Sequence, residues 1–234
     1  MKTRLPALAV AAALVAVALT GCVPVGPMSS ATPELDADVT AVVLETGGDL
    51  TITEGEPSLT IHAPSGILER LTSAVDDGVL VLSRRAGFLP FGFGEIRYEL
   101  TVESLESIHI KGSGDVDSTV SGDDLEIVIQ GSGEVSVTGV DADAVDLRIE
   151  GAGDIELSGE ATAIAVEISG SGDIDTDALE VRDATVAISG SGEVDLHVTD
   201  TLDVDISGSG TVNHRGGATV ESDISGSGDV NSVD

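Results

Sequence analysis

Residues 168–174 read ISGSGDI, and the same pattern returns throughout the C-terminal half of the chain. Successive copies lie 19, 20, 19, 20, 18 and 18 residues apart. The central Gly-Ser-Gly, which is Gly-Ala-Gly in one copy, begins at seven positions: Gly112, Gly131, Gly151, Gly170, Gly190, Gly208 and Gly226. A near-constant period of about 20 residues is typical of stacked structural units. The repeat therefore decides the fold class.

Apolar residues flank each glycine turn at fixed positions. An isoleucine stands two residues before each first glycine, and a valine or isoleucine stands two residues after each second glycine. Upstream of the turn the alternation continues, as at Leu125, Ile127 and Ile129. Because side chains alternate between the two faces of a strand, these residues share one face. Both sides of the turn are therefore predicted to be strands.

Each unit is predicted to contain a strand of about six residues, a glycine turn, a strand of about four residues and a return segment rich in Asp, Ala and Thr. No unit could bury its apolar face alone, but parallel stacking at about 4.8 Å would place like residues over like. This predicts an all-β fold, a parallel β-helix (β-solenoid) with about 18–20 residues per coil. A meander of hairpins is the rival fold, and it would not align equivalent residues of successive units.

Glycine suits the predicted corners because it reaches positive φ without a Cβ penalty and lets corners stack closely. The middle serines are expected to assist packing, through a ladder of hydroxyl hydrogen bonds. Upstream, residues 42–52 read VVLETGGDLTI and resemble a degenerate copy of the unit. We therefore place the solenoid over residues 39–234, with irregular coils in 39–105 that continue the stack and regular coils in 106–234.

The first 21 residues have the layout of an export signal. Lys2 and Arg4 precede an uncharged, largely apolar run that ends at Leu19 and is shorter than a membrane-spanning helix. Residues 19–22 read LTGC, which resembles the lipobox of bacterial lipoproteins, and Cys22 is the only cysteine. We predict a signal peptide over 1–21, lipid attachment at Cys22 and a flexible tether over 22–38, where Pro, Gly and Ser are frequent.

The composition excludes one class of partner. The chain has 10 Lys and Arg against 42 Asp and Glu, a net charge of -32. Binding to a phosphate backbone needs clustered basic residues, so no nucleic-acid partner is expected. The 41 % of hydrophobic residues, many at regular positions, favours a folded chain over a disordered acidic one. The predicted location is extracytoplasmic, with the lipid anchor in a membrane of the cell envelope.

These repeats, which follow a lipoprotein-type signal, resemble the bacterial putative auto-transporter adhesin family with the head GIN domain. Residues 168–174, 188–194, 206–212 and 224–230 carry the resemblance best. It implies a right-handed, single-stranded β-helix exposed outside the cytoplasm, with no catalytic residues or ligand to carry over. Thr211 departs from the pattern, because the other six units have Asp or Glu at that place.

Two columns of acidic residues are expected on the outside of the coils, just after the turns. Carboxylates about 4.8 Å apart repel one another, and a divalent cation would relieve that repulsion. Calcium accepts such oxygen ligands, although the spacing is not that of known calcium repeats. The alternative is that the acids only keep the sheet face soluble. The candidate ligands are Asp115, Glu134, Asp154, Asp173 and Glu193 in one column, and Asp117, Glu156, Asp175 and Asp195 in the other.

Aromatic residues are concentrated in one stretch, residues 84–98, which reads RRAGFLPFGFGEIRY. Aromatic and Arg side chains are favoured at recognition surfaces, so this stretch is a candidate contact loop. The alternative is a flap that packs on the solenoid and shields its core. The residues concerned are Phe88, Phe91, Phe93 and Tyr98.

The function predicted is a non-enzymatic, adhesin-like or structural binding module, with an unknown extracellular or envelope ligand. A calcium-dependent adhesion module is one alternative. The other is an enzyme acting on polysaccharides, because β-helices also serve enzymes that cleave acidic sugars. The basic residues are scattered along the sequence, and no nucleophile stands at a recognisable spacing from a base. No catalytic residue and no cofactor are therefore predicted, calcium aside.

Overall fold

The computed structural model describes residues 26–35, 38–85 and 94–233, and most of this part is β-structure. The strands join into one continuous sheet that winds into a β-solenoid, as the repeat predicts. Among the residues described, no helix has the length and hydrophobicity to cross a bilayer. The elements are β1 (Met28–Ala31), β2 (Ala41–Leu44), β3 (Asp49–Glu54), β4 (Ser58–Pro64), α1 (Ser65–Leu68), β5 (Leu71–Asp76), β6 (Val79–Arg84), β7 (Arg97–Val102), β8 (Ser107–Gly112), β9 (Asp115–Ser118), β10 (Asp124–Gly131), β11 (Glu134–Gly151), β12 (Asp154–Gly170), β13 (Asp173–Gly190), β14 (Glu193–Gly208), β15 (Thr211–Arg215), β16 (Thr219–Gly226) and β17 (Asp229–Ser232).

The regular coils stack in parallel and in register. Ile149 pairs with Ile129 of the coil before it and with Ile168 of the coil after it. The first glycines pair in the same way from Gly112 to Gly226. Every pairing between successive coils of this region is parallel, so the hairpin meander is excluded. The prediction of a β-solenoid is confirmed.

Register converts the repeated residues into columns inside the coil. Ile149, Ile168, Ile188 and Ile206 lie over one another, and each is at most 1 % exposed. Only aliphatic side chains fill this column, and stacked isoleucines pack closely because identical shapes meet at each layer. A second column lies across the corner and is formed by Val116, Val135, Ile155, Ile174, Val194 and Val212.

The return segments rich in Asp, Ala and Thr are strands as well. Strands β11 to β14 each extend over 16 to 18 residues and include the return. They bend where the register shifts, for instance between Thr138 and Val140. Val140 and Val181, which lie beyond such shifts, are buried, so the return segment adds a further wall to the core. Bulges of this kind let one strand turn a corner without losing its pairing.

The glycine corners are joined by main-chain hydrogen bonds. The N–H of Ser132 donates to the Gly112 carbonyl at 2.9 Å, and Ala152 and Ser171 repeat this contact one and two coils later. No hydrogen bond joins the serine hydroxyls of successive corners in the part of the chain described, so the expected hydroxyl ladder is wrong. Because the backbone makes the ladder, Ala152 takes the place of a serine without breaking it.

Both glycines of a corner are required by close approach. At Gly190, where φ is +143°, a Cβ would lie 2.0 Å from the Gly170 carbonyl oxygen. At Gly192 a Cβ would lie 2.5 Å from the Gly172 carbonyl oxygen and 2.9 Å from a methyl carbon of Ile168. Any side chain here would therefore separate the layers or displace the isoleucine column.

The N-terminal coils belong to the same stack, but their order in space differs from their order in the chain. The coil formed by β2 and β3 has the β6–β7 layer on one side and the β8–β9 layer on the other. Residues 42–52 therefore form a solenoid coil, as predicted. The chain then passes to the end of the stack and returns, so this coil is inserted between layers that follow it in sequence.

A layer of reversed strands closes the N-terminal end. Strands β4 and β5, joined by α1, run antiparallel to β7 and β6, and β1 runs antiparallel to β4. Because β1 pairs with β4, the flexible tether predicted over 22–38 does not extend over Met28–Ala31. The reversed layer covers the apolar columns where parallel stacking stops, as terminal caps do in other repeat proteins.

We expect Gly190→Ala to lower the free energy of unfolding by about 3 kcal/mol or more, since it combines overpacking with a positive φ. Gly47→Ala is the matched control, because a Cβ there would meet only the Ser113 hydroxyl at 3.7 Å. Its effect should stay within roughly 1 kcal/mol. Denaturant unfolding followed by circular dichroism measures both, and equal losses would contradict the role assigned to the corner.

Candidate functional site

The two acidic columns form as the sequence predicts. Asp115, Glu134, Asp154, Asp173 and Glu193 lie over one another in consecutive layers, and Thr211 follows. The insertion of the β2–β3 coil adds Asp49 below Asp115. The second column contains Asp117, Ser136, Glu156, Asp175, Asp195 and Asn213. The side chains point outward, so the columns form an acidic strip along the coil.

Four carboxylates of the strip accept hydrogen bonds from a neighbouring layer. Asp115 and Asp173 each accept a hydrogen bond from the main-chain N–H of the next layer, at 3.3 and 3.2 Å. The Asn213 side-chain amide donates to Glu193 and Asp195 at 2.9 and 2.8 Å. Within the described ranges, no three His, Cys, Asp or Glu side chains are grouped so that they could share a metal ion. The nine predicted ligands therefore line up without converging, and calcium binding stays a prediction.

Relief of repulsion in this strip should be measurable. Neighbouring like charges about 4.8 Å apart cost on the order of 1 kcal/mol in water, and less in salt. We expect Asp154→Asn to raise the melting temperature and to weaken its increase with sodium chloride. Asp76→Asn is the control, because Asp76 faces Val79 across its strand pair. If calcium raised the melting temperature more than magnesium did at the same ionic strength, that result would instead support the calcium alternative.

The candidate contact loop is corrected at Tyr98. This side chain is 1 % exposed, and it occupies a core position between Leu50 and Ile61 of the neighbouring layers. Its hydroxyl makes a hydrogen bond of 3.0 Å with the Thr46 hydroxyl. Tyr98 is buried because it belongs to β7, where it takes the column position that Val or Ile takes elsewhere. Phe88, Phe91 and Phe93 lie outside the described residues, as do Cys22 and the predicted signal peptide.

Burial raises the pKa of the Tyr98 phenol above its usual value of about 10, and the hydrogen bond with Thr46 acts in the opposite direction. Since the unfolded chain loses this proton first, the stabilisation is complete below pH 10 and is lost as pH rises through the folded pKa. Tyr98 is the only tyrosine, so an alkaline absorbance titration reports it alone. We expect the absorbance change of phenol ionisation at a pH above the usual pKa, and we expect no such change in Tyr98→Phe. Ionisation at the usual value in the folded protein would contradict this.

The histidines do not form a site. His62 and His109 lie beside Glu99 and Glu126, at 3.6 and 3.2 Å. His214 is buried in the core column above Leu196, and its Nδ1 has no hydrogen-bond partner. The layer below it carries His197, whose pairing partner is Arg215. Adjacent residues of a strand point to opposite faces, so the two histidines of these coils are not brought together.

A groove of about 560 Å³ lies at the corner side of the N-terminal layers. It extends from the segment after α1, past the ends of β6 and β2, to the corner after β8. Four basic residues line it, together with three acidic and three apolar ones. These residues are Arg70, Arg84, Arg85 and Lys111, then Glu45, Asp49 and Glu95, then Ile67, Leu71 and Ile96.

Sequence reasoning missed this groove. Arg70 and Lys111 are 41 residues apart, and the basic residues looked scattered along the chain. They meet because the β2–β3 coil lies between the β6–β7 layer and the β8–β9 layer, which brings Lys111 next to Glu45 at 3.2 Å. No periodicity in the sequence signals such an insertion. The one available hint was the Arg84-Arg85 pair, which opens the stretch of residues 84–98.

A family model described as "Putative auto-transporter adhesin, head GIN domain" matches residues 38–218. The chain belongs to this family. The resemblance drawn from the ISGSGD repeats is thus confirmed, and the match includes the irregular coils as well as most of the regular ones. The comparison with curated proteins gives no match.

Solved structures of similar fold agree with this adhesin family. A putative adhesin from Bacteroides fragilis superimposes with a TM-score of 0.84 at 23 % identity, covering 88 % of this chain and 97 % of that one. A protein from Parabacteroides distasonis described as a putative lipid binding protein has a TM-score of 0.75 at 20 % identity, covering 89 % and 98 %. A putative adhesin from the same organism has a TM-score of 0.73 at 21 % identity, with the same coverage. At these identities the similarity concerns the fold.

Proposed function

We propose that this protein is an extracytoplasmic, lipid-anchored binding module of the adhesin type, with a rigid solenoid that presents a ligand-binding surface and no catalytic activity. The observation that carries the proposal is the family match over residues 38–218, on a solenoid whose two apolar columns are buried from Ile110 to Ile206 and from Val116 to Val212. The outer faces are then free to contact a ligand. Solenoids provide long, rigid surfaces of this kind.

Lipid attachment at Cys22 is part of the proposal. The support is the sole cysteine at the end of the apolar run, in a sequence that resembles a lipobox. Two or more acyl chains on one residue would hold the protein stably at a membrane, whereas a single chain is marginal. The net charge of -32 supports an exposed position, because such a surface is strongly solvated.

An enzyme acting on acidic polysaccharides is less well supported than a binding module. The groove supplies clustered basic groups, which such a substrate would require. A catalytic site would also need an acid or base held near them in a place that excludes water. Glu45, however, is paired with Lys111, and its side chain is 40 % exposed. Glu95 is paired with Arg97 and is 61 % exposed.

The test is a binding screen of the mature chain, residues 22–234, on arrays of glycans and extracellular matrix proteins, with calcium or with a chelator. We expect at least one specific ligand, bound equally well in the chelator, since calcium is not part of the primary proposal. Binding that requires calcium would favour the calcium-dependent adhesin. Shortening of acidic polysaccharides incubated with the chain would favour the enzyme, and no binding in either condition would overturn an adhesive function.

A further inference from the structure

The groove has the opposite charge balance to the rest of the protein. Its lining contains four basic and three acidic side chains, so 4 - 3 gives a net charge of +1, in a chain whose net charge is -32. Those four are half of the eight basic residues that the described ranges contain. The groove is therefore a place on the described surface where an anionic partner would meet clustered cations and less repulsion than the overall charge implies.

Apolar side chains lie beside these cations. Ile67 and Leu71 are partly exposed and pack against the edge of the core cluster. Arg70 stands between them and links α1 to the residue after β6. Its N–H donates to the Ile67 carbonyl, and its own carbonyl accepts from the Arg85 N–H. Apolar groups flanked by Arg and Lys are typical of surfaces that lie in the headgroup region of a membrane.

The groove also lies where the chain enters the fold. The Ser65 N–H donates to the Pro27 carbonyl at 3.0 Å, and Gly26 packs against Ser65. Ile67 of the groove follows only two residues later, in the same short helix α1. Cys22 precedes Gly26 by four residues, which span at most about 14 Å when extended. A lipid on Cys22 would therefore hold this end of the protein close to the bilayer surface.

We propose that this groove is a docking surface for the anionic phospholipid headgroups of the membrane that holds the Cys22 anchor, an inference that rests on the lipid attachment proposed above. Arg70, Arg84, Arg85 and Lys111 bind the headgroup phosphates, while Ile67 and Leu71 reach the boundary of the acyl region. The acidic strip is repelled by the same membrane. Attraction at one end and repulsion along the coil together direct the solenoid away from the bilayer.

The experiment couples the mature chain, residues 22–234, through its only cysteine to a maleimide lipid in vesicles. The vesicles contain phosphatidylcholine alone or mixed with phosphatidylglycerol, and hydrogen–deuterium exchange is followed in peptides covering 65–71 and 79–85. We expect slower exchange there with phosphatidylglycerol, reversed by high salt. Arg70→Glu with Arg85→Glu should reduce the contact equilibrium by at least roughly 30-fold, since each of the two lost basic residues contributes about fivefold near an anionic surface and the two added carboxylates are repelled by it.

The matched control is Arg148→Glu with Arg182→Glu, which makes the same change in net charge at two exposed positions elsewhere on the coil. This control should keep the protection from exchange. Arg85→Gln alone should lose only part of the protection, and cooperative unfolding of that variant shows that it is still folded. Equal protection on both vesicles, or equal loss in both double variants, would overturn the proposal. The same protection by inorganic phosphate with phosphatidylcholine vesicles would also overturn it and would indicate a site for a small anion.

The maleimide lipid supplies the attachment, so this result does not depend on acylation in the cell. Mass spectrometry of the N-terminal peptide from cells that express the full-length chain tests acylation of Cys22 separately. An unmodified Cys22 would refute the lipid anchor of the proposed function, whereas the vesicles decide whether the groove contacts headgroups.

Discussion

The structure depends on the close approach of main chains at the glycine corners. At Gly190 the backbone of one layer lies so near the next that a Cβ would sit 2.0 Å from a carbonyl oxygen. This contact sets the distance between successive layers. The N–H groups of the corner also donate hydrogen bonds to carbonyls of the layer below. Because a shift of one residue would turn every side chain to the other face, the corner also sets the register of the strands that leave it.

That register explains why the inside and the outside of the coil differ so sharply. Inward positions repeat Ile and Val, so a continuous aliphatic core forms although no single coil could bury its own apolar face. Outward positions repeat Asp and Glu, and the same stacking brings like charges together. Main-chain N–H groups and the amide of Asn213 offset part of that repulsion. The acidic strip is thus a consequence of stacking, and it gives the protein a strongly solvated face.

The N-terminal layers make one end of the solenoid different from the regular coils. Reversed strands close this end, and the inserted β2–β3 coil brings distant basic residues to one groove. The protein therefore has two different surfaces, an acidic strip along the coil and a basic, partly apolar groove at one end. The chemistry of the two surfaces is opposite, so they suit different partners.

The sequence by itself determined the solenoid, its period, the residues of its core columns and the two acidic columns, because a repeat with a fixed register repeats every contact. It also indicated the family, through the ISGSGD units. Only the tertiary structure decided the burial of Tyr98, the strand at Met28–Ala31, the extended return segments and the groove that contains Arg70 and Lys111. These features depend on which layers become neighbours when the chain reverses and inserts a coil. That choice is made by packing between distant segments, for which local spacing carries no signal.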